Sequence, residues 1–224
     1  MDGRVKSLLR GVLIAAMAFS TLGCETAAVD PRPISPPDAE AKPADPLGAV
    51  TSEPIRRILE SALEQTETTT GYTQDYFTID YPNGDVPAET GACTDVVIRA
   101  FRKAGVDLQK EVHEDMRSNF AAYPRKWGLT RTDTNIDHRR VPNLQTFFDR
   151  KGRSLPISND PNAFQPGDVV SWDLNGKGLM HIGIVSHTID RHSGRPMIIH
   201  NIGSGTRLED RLFEWKIIGH YRYF

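Results

Sequence analysis

The feature that most limits what this chain can fold into is a change of texture at Pro166-Gly167-Asp168. Before it, apolar residues recur at helical spacing. After it come short β-branched or aromatic runs, Val169-Val-Ser-Trp172, Ile182-Gly-Ile-Val185, Met197-Ile-Ile199 and 217–224, set apart by turns at Asn175-Gly-Lys-Gly178 and Ser193-Gly-Arg195. A helix must bury one stripe and a strand one face, so helices first and strands afterwards predict helices packed on one antiparallel sheet, the α+β class.

In the helical half, Ser52-Glu-Pro54 reads as a helix start, followed by Ile55, Ile58, Leu59, Ala62 and Leu63 on one face and closed by Gly71. Tyr76-Phe-Thr-Ile79 reads as a short strand. Thr90-Gly-Ala-Cys93 opens a second helix whose apolar face is Val96, Val97, Ala100, Phe101 and Ala104, closed by Gly105. Two more helices fit 108–120 and 141–150, the latter with Pro142 in its first turn and Gly152 just past its end.

The N-terminus is built differently. Residues 1–23 carry a basic start, then the apolar run Gly11-Val-Leu-Ile-Ala-Ala-Met-Ala-Phe19, then Ser20-Thr-Leu-Gly23, the layout of a secretory signal too short to span a bilayer. The small residue before Cys24 is similar to the bacterial lipobox, which implies acylation at Cys24; Thr21 stands where that motif usually has leucine, and the alternative is an ordinary signal cleaved near Gly23. Glu25 after the cysteine resembles lipoproteins sent to the outer membrane, so the expected location is the periplasmic face of that membrane. Residues 24–51 are rich in proline, alanine and aspartate with almost no large apolar residue, the composition of an extended tether ahead of a domain at 52–224. The formal charge is −2, and because Arg4, Lys6 and Arg10 outweigh Asp2, the chain after Gly23 stands at −4 with no basic stripe suited to nucleic acid.

The chain has two cysteines, so acylation of Cys24 leaves Cys93 alone in an oxidising compartment. Cys93 falls in the first turn of its helix, where free amide N–H groups and the helix dipole are expected to favour a thiolate and to hold an oxyanion. A thiol nucleophile needs a base and a group to orient it. His181 opens a strand directly after a loop, and His200 ends the next strand, where antiparallel pairing could bring it beside His181; the adjacent Asn201 is expected to point to the opposite face. His113, His187, His192 and His220 show no regular metal spacing, and a structural zinc site would need more cysteine; an amidase zinc built from scattered histidines and aspartates is a minor alternative. No cofactor is expected. Trp127, Trp172 and Trp215 read as core or sheet residues rather than sugar platforms.

The series Gly91-Ala-Cys93-Thr94-Asp95, Pro166-Gly167-Asp168-Val-Val, His181-Ile-Gly-Ile-Val185 and Ile199-His200 resembles the NlpC/p60 peptidases of the papain-like fold. The resemblance implies a Cys93, His181, His200 site, Asn201 being the other candidate for its third polar residue, and places Tyr81 near the oxyanion. From about Tyr72 to Phe224 the chain is also similar to a bacterial family catalogued as domain of unknown function 1287. It carries Asp80-Tyr-Pro-Asn-Gly-Asp85, Cys93-Thr-Asp-Val-Val97, Asn135-Ile-Asp-His-Arg-Arg-Val-Pro-Asn143, His200-Asn-Ile-Gly203 and Gly219-His-Tyr-Arg-Tyr223. The chain departs from NlpC/p60 where it has Ala92-Cys93-Thr94-Asp95 in place of Asp-Cys-Ser-Gly, and its helical stretch 108–150 is longer.

Asp95 beside the nucleophile, with Arg139 and Arg140 in the charged run before the 141–150 helix, are candidate substrate contacts, since arginine forks suit the carboxylates of wall peptides. A structural ion pair is the competing reading for the arginines. The expectation is a lipid-anchored cysteine peptidase or amidase acting on peptidoglycan stem peptide, with an activating envelope partner left open. The alternatives are acyl chemistry on a lipid or thioester and a non-catalytic wall-binding lipoprotein.

Overall fold

A computed structural model describes Leu47, Gly48, Val50 and residues 52–224. The expected signal, Cys24 and nearly all of the expected tether lie outside the described residues. Four α-helices precede five strands: α1 Glu53–Thr68, α2 Cys93–Lys103, α3 Leu108–Ser118, α4 Val141–Arg150, β1 Val169–Asp173, β2 Met180–Ile189, β3 Pro196–Asn201, β4 Thr206–Glu209 and β5 Lys216–Tyr221. The sheet is antiparallel throughout, in the order β4-β3-β2-β1-β5. The chain is thus α+β.

Alternation along the strands sorts two cores. Val169, Ile182, Ile184 and Ile199 join Ile58, Leu59, Val97, Phe101, Phe147 and Phe148 under the helices. Val170, Trp172, Val185 and Ile198 face the other way, onto Phe164, Leu212 and Ile217. Leu47, ahead of α1, is also buried in the helix-side core. The conspicuous motifs at the domain's C-terminal end are structural: His220 Nε2 lies 2.7 Å from Asp168 Oδ2, and Arg222 donates to both oxygens of the same carboxylate. That tie holds the end of the chain to the start of β1.

Two segments differ from the sequence reading. Tyr76-Phe-Thr-Ile79 forms no strand, because its backbone is held by side chains of the long insert: Asn135 Oδ1 accepts from Ile79 N at 3.0 Å, and Arg139 donates to Asp75 O at 2.7 Å. Conversely Thr206-Arg-Leu-Glu209 is a strand that its charged, short sequence does not announce; it pairs with β3 through His200↔Arg207 and Ile199↔Leu208.

Candidate active site

Cys93 is the first residue of α2, and its predecessor Ala92 has no side chain able to cap the helix. Asp95 fills that role from inside the first turn, accepting from Ala92 N at 2.6 Å. Its carboxylate is also gripped by Arg139, Nε to Oδ1 at 2.9 Å and Nη2 to Oδ2 at 3.0 Å, with both side chains almost wholly buried. Thr94 adds a bond to Arg139 O. The loop leading into the helix is tied down from behind by Arg99, which binds Asp85 and the carbonyls of Val86, Pro87 and Thr90.

The thiol itself is buried, 7% exposed, and takes backbone N–H contacts from Ile182, Thr94 and Cys93. The expectation of a stabilised thiolate does not hold at rest. Burial pushes the Cys93 thiol up to about 12, with the Asp95 charge adding to the rise, and the amides offset only part of it. Losing water around the sulfur outweighs a helix terminus.

On β2, His181 follows Met180, and its ring turns to the face that carries Trp172 and Trp215, with centroids 5.7 and 5.9 Å away. His181 Nε2 lies 2.7 Å from His200 Nδ1, and His200 Nε2 lies 3.0 Å from Glu209 Oε2. These two contacts fix the tautomers. A carboxylate only accepts, so His200 carries its proton on Nε2; its Nδ1 then accepts from His181 Nε2–H, leaving the lone pair of His181 on Nδ1. No protein hydrogen bond occupies that nitrogen among the described residues. Burial pushes His181 down to about 3 and also lowers His200, so both rings are neutral near pH 7. Gly183 makes the pairing possible, because a Cβ there would stand 3.1 Å from His200 Cβ and 2.8 Å from Ile198 Cγ2.

No hydrogen bond joins Cys93 Sγ to the His181 ring; the thiol meets β2 at the N–H of Ile182, the residue after the histidine. Thiol and imidazole therefore reach the start of β2 from its two faces, as a neutral pair. Cys93 lines a cavity of about 500 Å³ bordered by Gln74, Tyr76, Trp127, Arg139, Arg140 and Leu179 among others.

The structure redistributes the remaining sequence candidates. Asn201 does point to the helix side, where its Nδ2 donates at 2.9 Å to both Gly71 O and Gly91 O, clamping two loops beside Cys93. Tyr81 is elsewhere: 40% exposed, it packs edge-on against His113 and does not line the cavity. The tyrosine near the thiol is Tyr72, half-buried, bonded to Gln74 and close enough to Cys93 for the sulfur's charge to raise its phenol further after burial has done so. Arg139 has its donors engaged by Asp95 and Asp75 O, whereas Arg140 lines the cavity beside Trp127, which is 56% exposed and no core residue. Glu209 and Tyr72 are the members that sequence reasoning missed. Glu209 sits on the strand that was also missed, and Tyr72 lies in irregular chain whose only signal is the neighbouring Gly71.

Among the described residues no cluster of three or more histidine, cysteine, aspartate or glutamate side chains is suited to a metal ion.

Among solved structures, NlpC1 from Trichomonas vaginalis overlaps 73% of this chain at 14% identity and a TM-score of 0.38, this chain spanning 43% of its length. An N-acetylmuramoyl-L-alanine amidase from Bacteroides uniformis ATCC 8492 overlaps 77% of this chain and 100% of its own at 13% identity and a TM-score of 0.45. Much nearer in sequence is the "Uncharacterized protein YijF" of Escherichia coli (strain K12), 55% identical over 167 residues, which are 75% of this chain and 80% of that protein. The family described as Domain of unknown function (DUF1287) matches residues 59–223, a span that holds Cys93, His181, His200 and Glu209 alike, and the chain belongs to that family.

Proposed function

We propose that the protein is a cell-envelope cysteine hydrolase that cleaves an amide bond in peptidoglycan stem peptide, as an endopeptidase or amidase. The observation that carries the reading is the convergence at the start of β2: the one thiol among the described residues, at a helix N-terminus and lining a cavity, beside the residue that follows a histidine whose tautomer is set by a His200–Glu209 chain. A packing cysteine has no use for an oriented imidazole with a free lone pair.

In this reading the substrate carbonyl reaches Sγ from the cavity that Cys93 lines, at the strand end that the His181 ring approaches from the other face. Sγ of Cys93 bonds to the carbonyl carbon as the thiol proton passes to His181 Nδ1, so charge forms only as the bond does, in keeping with a neutral resting pair. Amide N–H groups at Cys93, Thr94 and Ile182 hold the oxyanion. Collapse of the tetrahedral intermediate breaks the C–N bond; His181 gives its proton to the leaving amine, and a thioester remains on Cys93. Water attacks that thioester, passing a proton to His181, and releases the carboxylic acid and the thiol. The signal-like 1–23 segment, Cys24 and the proline-rich tether support a lipid-anchored position on the periplasmic face of the outer membrane, where wall peptide is the abundant amide polymer.

The test is mass spectrometry of muropeptides after incubation with the full chain and with Cys93→Ala. New product masses with the native protein, reduced at least about 1,000-fold in the variant, are expected. Identical profiles would remove the hydrolase reading.

A further inference from the structure

Two adjacent arginines precede α4, and the structure uses them in opposite ways. Arg139 turns under α2, where Asp95 and Asp75 O satisfy its fork. Among the described residues Arg140 makes no hydrogen bond through its guanidinium; its ion-pair partner Asp137 places Oδ1 3.9 Å from Nη1, and both of those atoms are sealed from solvent without a hydrogen-bond partner. The closer support is Trp127, whose ring centroid lies 4.2 Å from the guanidinium carbon. Trp127 adopts a left-handed backbone, φ 60°, uncommon for a bulky residue and a conformation that surrounding structure must impose.

The cavity that this pair borders is the one Cys93 lines. Its lining includes three cations, Lys126, Arg139 and Arg140, and no acidic side chain. Asp95 neutralises Arg139 through paired hydrogen bonds, whereas Arg140 has only a loose ion pair with Asp137 at 3.9 Å, outside the cavity lining, so the cavity's positive side is Arg140 and Lys126. A planar fork placed over an indole, without hydrogen-bond acceptors among the described residues, in a cavity whose lining has no carboxylate, is built to receive one.

We propose that Arg140, braced by Trp127, binds a carboxylate of the substrate and makes the cavity selective for acidic over amidated stem peptides. The proposal rests on reading this cavity as the hydrolase cleft. It assigns Arg140 to recognition and Arg139 to architecture, a division the sequence could not make.

Binding can be separated from turnover. The full chain carrying Cys93→Ala is titrated calorimetrically with L-alanyl-γ-D-glutamyl-diaminopimelate and with the same tripeptide amidated at its free carboxyl groups. Amidation should weaken binding at least tenfold. Adding Arg140→Gln should bring the acidic peptide down to the amidated level, Arg140→Lys should restore part of the difference, and Trp127→Ala should narrow it with the fold unchanged by circular dichroism. Equal affinity for the two peptides, no measurable binding of either, or a preference that survives in a folded Arg140→Gln protein would each overturn the proposal. Turnover by the unmodified chain is scored separately. Selective binding without turnover removes the hydrolase reading alone, and turnover without carboxylate preference removes only the role given to Arg140.

Discussion

On the helix side of the sheet, Cys93 is held by close packing and by a buried ion pair; on the far side, His181 is held by a file of hydrogen bonds inside a tryptophan box. The helix side has Val96, Val97 and Phe101 of α2 pressed against Ile182 and Ile184, with the Asp95–Arg139 pair closing the first turn. The far side sets the His181–His200–Glu209 chain against Trp172 and Trp215. Packing fixes where a nucleophile sits without caring about its protonation. A hydrogen-bond chain fixes which nitrogen holds a proton, and the surrounding indoles keep water from competing for it. Position and protonation are thus assigned to different faces and meet at one strand end.

If the division is real, damage to the helix side should register mainly as stability. Asp95→Ala leaves Arg139 buried without its counter-ion and removes the cap on α2, so a loss of about 3–5 kcal/mol is expected in denaturant unfolding. A loss under about 1 kcal/mol would mean that packing alone sets the helix start.

The far side should register in pH. His181 is held near 3 in the folded protein against 6.5 in the unfolded chain, so the unfolded state takes up the proton first. The stability that this group contributes is complete above about pH 6.5 and is lost as pH falls toward 3. Between pH 6.5 and 5 the decline amounts to about 2 kcal/mol. His181→Gln should flatten that part of the profile in thermal unfolding, and an unchanged acid slope would show that the ring is not buried neutral.

The smallest effect is expected at Glu209. Glu209→Gln keeps the shape but can also donate to His200 Nε2, loosening the tautomer choice two residues away from the thiol. About a tenfold fall in kcat, with a displaced pH profile of kcat/KM and little change in melting temperature, is expected. A rate that falls together with stability and an unmoved pH profile would make Glu209 a structural residue only.

What could be read from the chain differs between the two faces for the same reason. Helix α2 and the runs of β1, β2 and β3 are local patterns, apolar residues repeating at 3.6 or at 2, so Cys93 at a helix start and His181 at a strand start were legible from spacing. Strand β4 was not, because Thr206-Arg-Leu-Glu209 pairs only with β3 and has no periodicity of its own. Glu209 was hidden with it. Tyr81 shows the converse: position in sequence relative to Cys93 selected it, while the chain path carried it to His113 and brought Tyr72 to the thiol.

The sequence by itself determined the order of helices and strands, the α+β class, and the residue types able to do thiol chemistry, since these depend on periodicity and side-chain inventory. Only the tertiary structure decided the protonation of the thiol, the tautomer of His181, and which of two neighbouring arginines is spoken for. Those depend on burial and on partners 19 to 44 residues away along the chain, as for His181 with His200 and Arg139 with Asp95. Water exclusion, which pushes Cys93 up to about 12, is a property of the folded surroundings and of no single segment.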